Sequence, residues 1–88
     1  MSAAVDYDLR TRVIRRAYAD LACEECRCGA PKGARKSLCW RCWLKLDAKT
    51  KRSLYDRERY VRNYLWALKE LNLIDPDKYD RAIAALGG

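Results

Sequence analysis

Cys23-Glu24-Glu25-Cys26-Arg27-Cys28-Gly29-Ala30-Pro31, followed by Leu38-Cys39-Trp40-Arg41-Cys42-Trp43, holds all five cysteines of a chain of 88 residues that has no histidine. Two close cysteine groups on either side of a short basic loop have the spacing of a structural zinc site. Such a site sets four thiolates in a closed tetrahedron around one ion, with Zn–S near ~2.3 Å. Cys39 and Cys42 form a C-x-x-C pair that reaches one ion. The other pair is Cys26 with Cys28, or Cys23 with Cys26. Gly29 favours Cys26 and Cys28, because a glycine directly after Cys28 permits the positive φ that turns backbone amides toward a thiolate. The alternative pair puts Arg27 at that position and makes Cys23 a ligand.

Two other readings of the cysteines have less support. Disulfides need an oxidising compartment, and Met1-Ser2-Ala3-Ala4 shows no basic region followed by an apolar core. Five cysteines would also leave one unpaired. A redox-active C-x-x-C is expected inside a βαβ pattern, and neither pair has one. The expected cofactor is therefore Zn2+, and the expected compartment is the reducing cytoplasm. In so short a chain the hydrophobic core is small, and a metal supplies stability that burial alone does not.

The motif C-x-C-G-x-P, from Cys26 to Pro31, then L-C-x-x-C followed by Trp43, resembles the zinc knuckles of small phage and mobile-element proteins. Such modules are similar to treble-clef or zinc-ribbon fingers, and some are appended to nucleases or other DNA-binding proteins. The resemblance covers about eighteen residues. It implies a metal-binding module and, less directly, a nucleic-acid partner. Ser37 stands where that pattern usually has a glycine before the leucine, and Cys23 is additional. Cys23-Glu24-Glu25-Cys26 also faintly resembles polymerase-channel regulators of the DksA/TraR kind, but the loop is shorter here and no acidic coiled-coil tip precedes it.

The net charge of +7 is unevenly spread. Residues 27–69 carry thirteen basic and three acidic side chains, whereas the segments before and after them are slightly acidic. From Arg27 to Leu46 there are six basic side chains and no carboxylate. A positive field over one end of a small molecule points to an anionic partner. The phosphate-contact candidates are Lys32, Arg35 and Lys36 on the loop, Arg41 beside the second cysteine pair, and Lys49, Lys51, Arg52 and Arg59 beyond it. Duplex DNA is the favoured partner, with an acidic host protein as the alternative. No apolar run approaches the ~20 residues that cross a bilayer.

The expected fold is mainly α, a small zinc-stabilised domain spanning 1–88. An N-terminal helix over 6–22, after a disordered lead, presents Leu9, Val13, Ala17 and Leu21 on one stripe, with Ile14 and Tyr18 alongside. The zinc module occupies 23–43, with a β-hairpin across 29–38. A long basic helix covers 44–73 as one piece, or as two with a break near 47–50. Leu54, Val61, Leu65 and Leu68, with Tyr64 and Leu71, form its apolar stripe. Asp75-Pro76 reads as N-cap and first helical residue of a C-terminal helix over 76–86, with Tyr79, Ala82, Ile83 and Leu86 inward, stopped by Gly87-Gly88.

Trp40, Trp43 and Trp66 are expected in the core, one of the first two covering the metal. Tyr55 and Tyr60 are the candidates for stacking on bases. Catalysis has little support: there is no histidine for general-base work and no open position on a four-thiolate metal. The reading is a non-enzymatic nucleic-acid binder, with a protein-docking adaptor or inhibitor of a host complex as the alternative.

Overall fold

The computed structural model describes residues 2–87, with side chains from Asp8 onward; Met1 and Gly88 lie outside the described residues. Five helices follow one another: α1 (Ser2–Ala22), α2 (Trp40–Lys45), α3 (Ala48–Ser53), α4 (Tyr60–Glu70) and α5 (Pro76–Ala85). The fold is mainly helical, as the apolar periodicities imply. Helix α1 begins at Ser2 rather than Asp6, so residues 2–5 extend the helix instead of leading into it. Ala3 and Ala4 carry high helix propensity, which suits this extension.

Helices α1, α4 and α5 pack on one another, and α3 packs on α4. Each member of the trio buries alanine: Ala17 on α1, Ala67 on α4, Ala82 and Ala85 on α5. Side chains that small allow helix axes to approach closely, and Tyr64 and Leu68 fill the space around them with almost no exposure. Along α1, Ala17 is buried, Leu21 packs against the core, and Tyr18 is half exposed.

The long basic helix expected over 44–73 is three helices, broken twice. At the first break, near the position suspected from sequence, Leu46 turns into the core and the Asp47 carboxylate accepts the Thr50 backbone N–H at 2.8 Å, capping α3. Glu70 of α4 reinforces the cap, accepting the Thr50 hydroxyl at 2.8 Å and the Asp47 N–H at 3.1 Å. At the second break, local side chains take over the backbone groups that helix would use. The Ser53 hydroxyl donates to the Thr50 carbonyl, the Asn63 amide donates to the Ser53 carbonyl, and Asp56 accepts the N–H groups of Glu58 and Arg59.

Helix α4 ends in a Schellman turn. The Leu73 N–H reaches the Leu68 carbonyl at 2.8 Å, and Asn72 takes the left-handed position with φ 59°. Pro76 opens α5 as the sequence implies, but the Asp75 side chain makes no capping hydrogen bond. Gly87, at φ 94°, follows the end of α5.

Candidate metal centre and basic groove

Residues 23–39 contain no β-hairpin. Their one strand-like feature is an isolated antiparallel bridge between Glu25 and Pro31, flanked by hydrogen bonds from Cys26 N–H to the Ala30 carbonyl and from Lys32 N–H to the Glu24 carbonyl. Between the two bridged residues the chain turns tightly. Gly29 N–H bonds the Cys26 carbonyl at 2.8 Å, and Gly29 takes φ 97°, the conformation expected of it from sequence. A hairpin across 29–38 fails because the following segment is claimed by α1. The Arg35 N–H donates to the Leu21 carbonyl at 2.8 Å, and the Lys32 ammonium donates to the carbonyls of Leu21 and Cys23. The loop thus satisfies the open C-terminal end of α1, where a cation also meets the negative end of the helix dipole.

This turn sets Cys26 and Cys28 against Cys39, which immediately precedes α2, and Cys42 in its first full turn. The four sulfur atoms lie within 4.8 Å of one another. Cys26 and Cys42 are 3.8 Å apart and Cys28 and Cys39 3.6 Å, sulfur to sulfur. Four thiolates at ~2.3 Å from one ion would stand about 3.8 Å apart, so the separations fit a tetrahedral centre. They are far too long for disulfides, and all five cysteines are free thiols. The cluster can hold a metal ion through Cys26, Cys28, Cys39 and Cys42. Cys23 stands outside it, exposed, with the Glu25 N–H 3.4 Å from its sulfur.

The acidities of the cluster suit a cation. Burial, opposed by the Cys28 and Cys39 amides, raises the Cys26 thiol. Burial and the three neighbouring thiols also push Cys42 up. At Cys39 burial acts in the same direction, but the Cys42 amide and the adjoining thiols outweigh it and bring the group down to about 7. Cys39 ionises readily while Cys26 and Cys42 resist. Their joint ionisation needs a positive ion among them, which is the chemistry of a thiolate metal site.

Asp20 joins the metal end to the helical body. Its carboxylate accepts from Arg27 at 2.8 Å, from Arg16 at 3.0 Å and from the Tyr64 hydroxyl at 2.9 Å. Burial alone would raise its pKa, but the hydrogen bonds from Tyr64 and Arg16, with the Arg27 guanidinium, prevail and hold it below the ordinary carboxylate value.

A groove of about 940 Å³ adjoins the cysteine cluster, lined by the loop after Pro31, the start of α2, the 54–57 turn and Tyr18 and Tyr60. Its cations are Lys32, Arg35, Lys36 and Arg57, and no carboxylate lines it among the described residues. Of the eight phosphate-contact candidates, only the three loop cations reach this groove. Lys32 is tied to backbone carbonyls there, leaving Arg35 and Lys36 exposed. Arg59 lines a separate groove with Arg10 and Arg62. Arg41, Lys49, Lys51 and Arg52 line neither, so the basic residues form no continuous stripe through the first groove. Arg57, which sequence reasoning did not single out, completes it. Its clue was its place among the basic residues on the faces opposite the apolar stripe of 44–73.

The aromatic expectations divide. Trp43 packs partly against the core, edge-on to Tyr55 with centroids 6.1 Å apart. Trp40 is 71% exposed and Trp66 46%, so neither belongs to the core. Trp40 fails because α2 directs Cys42 inward, and Trp66 lies beside Tyr79 under the Lys69 ammonium. Tyr60, expected to stack on bases, is buried, stacked on Tyr64 at 5.9 Å and bonded to the Ser37 hydroxyl at 2.9 Å. Tyr55 is 77% exposed and available.

No protein-family model, curated protein or solved structure matches the chain. No helix among the described residues is long and apolar enough to cross a membrane.

Proposed function

We propose that the protein is a small zinc-stabilised nucleic-acid-binding protein, of the kind found as regulators in phages and mobile elements, and that it acts by binding rather than catalysis. The observation that carries this reading is the groove beside the four-cysteine cluster, whose described lining holds exposed cations and aromatic rings and no carboxylate. Cations supply phosphate affinity, and aromatic faces supply base contact. Zinc is the ion because four thiolates in a closed tetrahedron are its characteristic structural ligand set. In that role the metal fixes the groove wall, while Arg35, Lys36 and Arg57 meet the phosphates. Arg41, Lys49 and Arg52, exposed elsewhere on α2 and α3, extend the positive field.

The test is a fluorescence titration of metal-loaded protein with nucleic acid across salt concentrations. For about four to six phosphates neutralised, log affinity falls against log salt with a slope of about −3 to −5. A flat or absent response excludes the reading.

A second reading rests on Trp40 and Leu44, which sit four residues apart on α2 and are both exposed. Such an apolar face beside a basic surface suits docking on an acidic partner protein. Affinity for a protein that survives high salt, with none for nucleic acid, would favour that adaptor role.

A further inference from the structure

The groove is concave, whereas duplex DNA is read by convex elements pushed into its major groove. Helix α2, which contributes Trp40 and Trp43 to the groove, has six residues, and the longer helices give it only Tyr18 and Leu21 of α1 and Tyr60 of α4. Of the five large hydrophobic side chains exposed among the described residues, Tyr18, Trp40 and Tyr55 line this single surface. An indole and a phenol left more than two-thirds in water forgo burial energy that a small core could use. Trp43 buttresses Tyr55 edge-on and so fixes that ring's position. Flat aromatic faces and cations on one surface, with no carboxylate among its described lining residues, match an unpaired strand, whose bases are free to stack while its phosphates meet the cations. A duplex keeps its bases stacked on each other and offers these rings nothing.

Resting on the nucleic-acid reading above, we infer that the groove binds a single strand, with bases stacked on Trp40 and Tyr55 and phosphates against Arg35, Lys36 and Arg57. Stacking is tolerant of sequence, because every base has a π face, so the groove selects strand state over sequence.

The experiment is an anisotropy titration of the metal-loaded full chain with a labelled twelve-nucleotide oligothymidine (length chosen at about the span of one single-strand site) and with a blunt duplex of equal length. Trp40→Ala, Tyr55→Ala and Arg57→Ala are measured beside the parent, with circular dichroism and metal stoichiometry confirming each fold. Trp40 and Tyr55 are exposed, so their truncation leaves the core intact. The single strand is expected to bind at least tenfold more tightly than the duplex. Each aromatic truncation should weaken it by about five- to hundredfold without changing the salt slope. Arg57→Ala should instead reduce that slope by about one phosphate's worth. Duplex binding as tight as the single strand, or aromatic variants that bind like the parent, overturns the single-strand inference while leaving nucleic-acid binding standing. Failure of both probes at low salt overturns both, as does full competition by polyglutamate at matched charge.

Discussion

The molecule has two ends that are held by different physics. In the body, α1, α4 and α5 bury alanines against one another around Tyr64 and Leu68, and stability is spread over many small contacts. At the metal end, residues 23–46 contain one bridge, one six-residue helix and tight turns. Helix α2 has no side-chain N-cap, and Cys42 is its one buried residue. Its anchor is the sulfur cluster itself. A distributed core yields by degrees, whereas a segment anchored on one cluster, if that cluster holds the proposed ion, should yield at once. The metal end should behave as a ligand-dependent fold attached to a body that folds by burial.

Metal removal breaks the comparison most directly. Structural zinc in isolated finger peptides is bound with roughly 10–16 kcal/mol at neutral pH. Chelation should therefore disorder residues 23–46 as judged by amide exchange, while amides of α4 and α5 stay protected. Simultaneous loss of protection in both regions would mean that there is one cooperative unit, not two. Asp20→Asn probes the joint between the ends. Losing a charged partner for Arg27 and Tyr64 should lower stability by about 1–3 kcal/mol in denaturant melts at neutral pH. The sign of its pH dependence follows from the lowered pKa. The contribution is full above the unfolded carboxylate value and fades as pH falls through the folded one, so parent and variant converge only in the acid range. The smallest effect belongs to Cys23→Ser. One metal per chain, unchanged affinity and a melting temperature within error are expected, because that thiol lies outside the cluster; loss of metal would make it a ligand after all.

The two ends also differed in how far they could be read from sequence. Helical periodicity located α1 and α5 and placed Tyr64 and Leu68 inside. The C-x-C-G and C-x-x-C spacings, with Gly29 deciding between pairs, named the four clustered cysteines. What escaped was where polar side chains compete with the backbone. Asp47 with Thr50, and Ser53 with Asn63, cut a continuous helical pattern into three, and no periodicity records a hydrogen bond between positions 50 and 70. The hairpin failed for a related reason: the loop's donors were spent on the last turn of α1, a partner eleven or more residues away. Trp40 was misplaced because an aromatic ring in a small chain is ordinarily core, and the i, i+3 placement of Cys39 and Cys42 decides instead which face of α2 turns outward.

One carboxylate, Asp20, receives bonds from the cysteine-bearing turn, from α1 and from α4. Together with the Lys32 tie and the Ser37–Tyr60 clip, it leaves the groove's walls little independent freedom. A molecule entering that groove meets a surface whose ordering entropy was already lost when the chain folded. Preorganisation of this sort makes a small contact area go further, since association then restricts mainly the incoming partner.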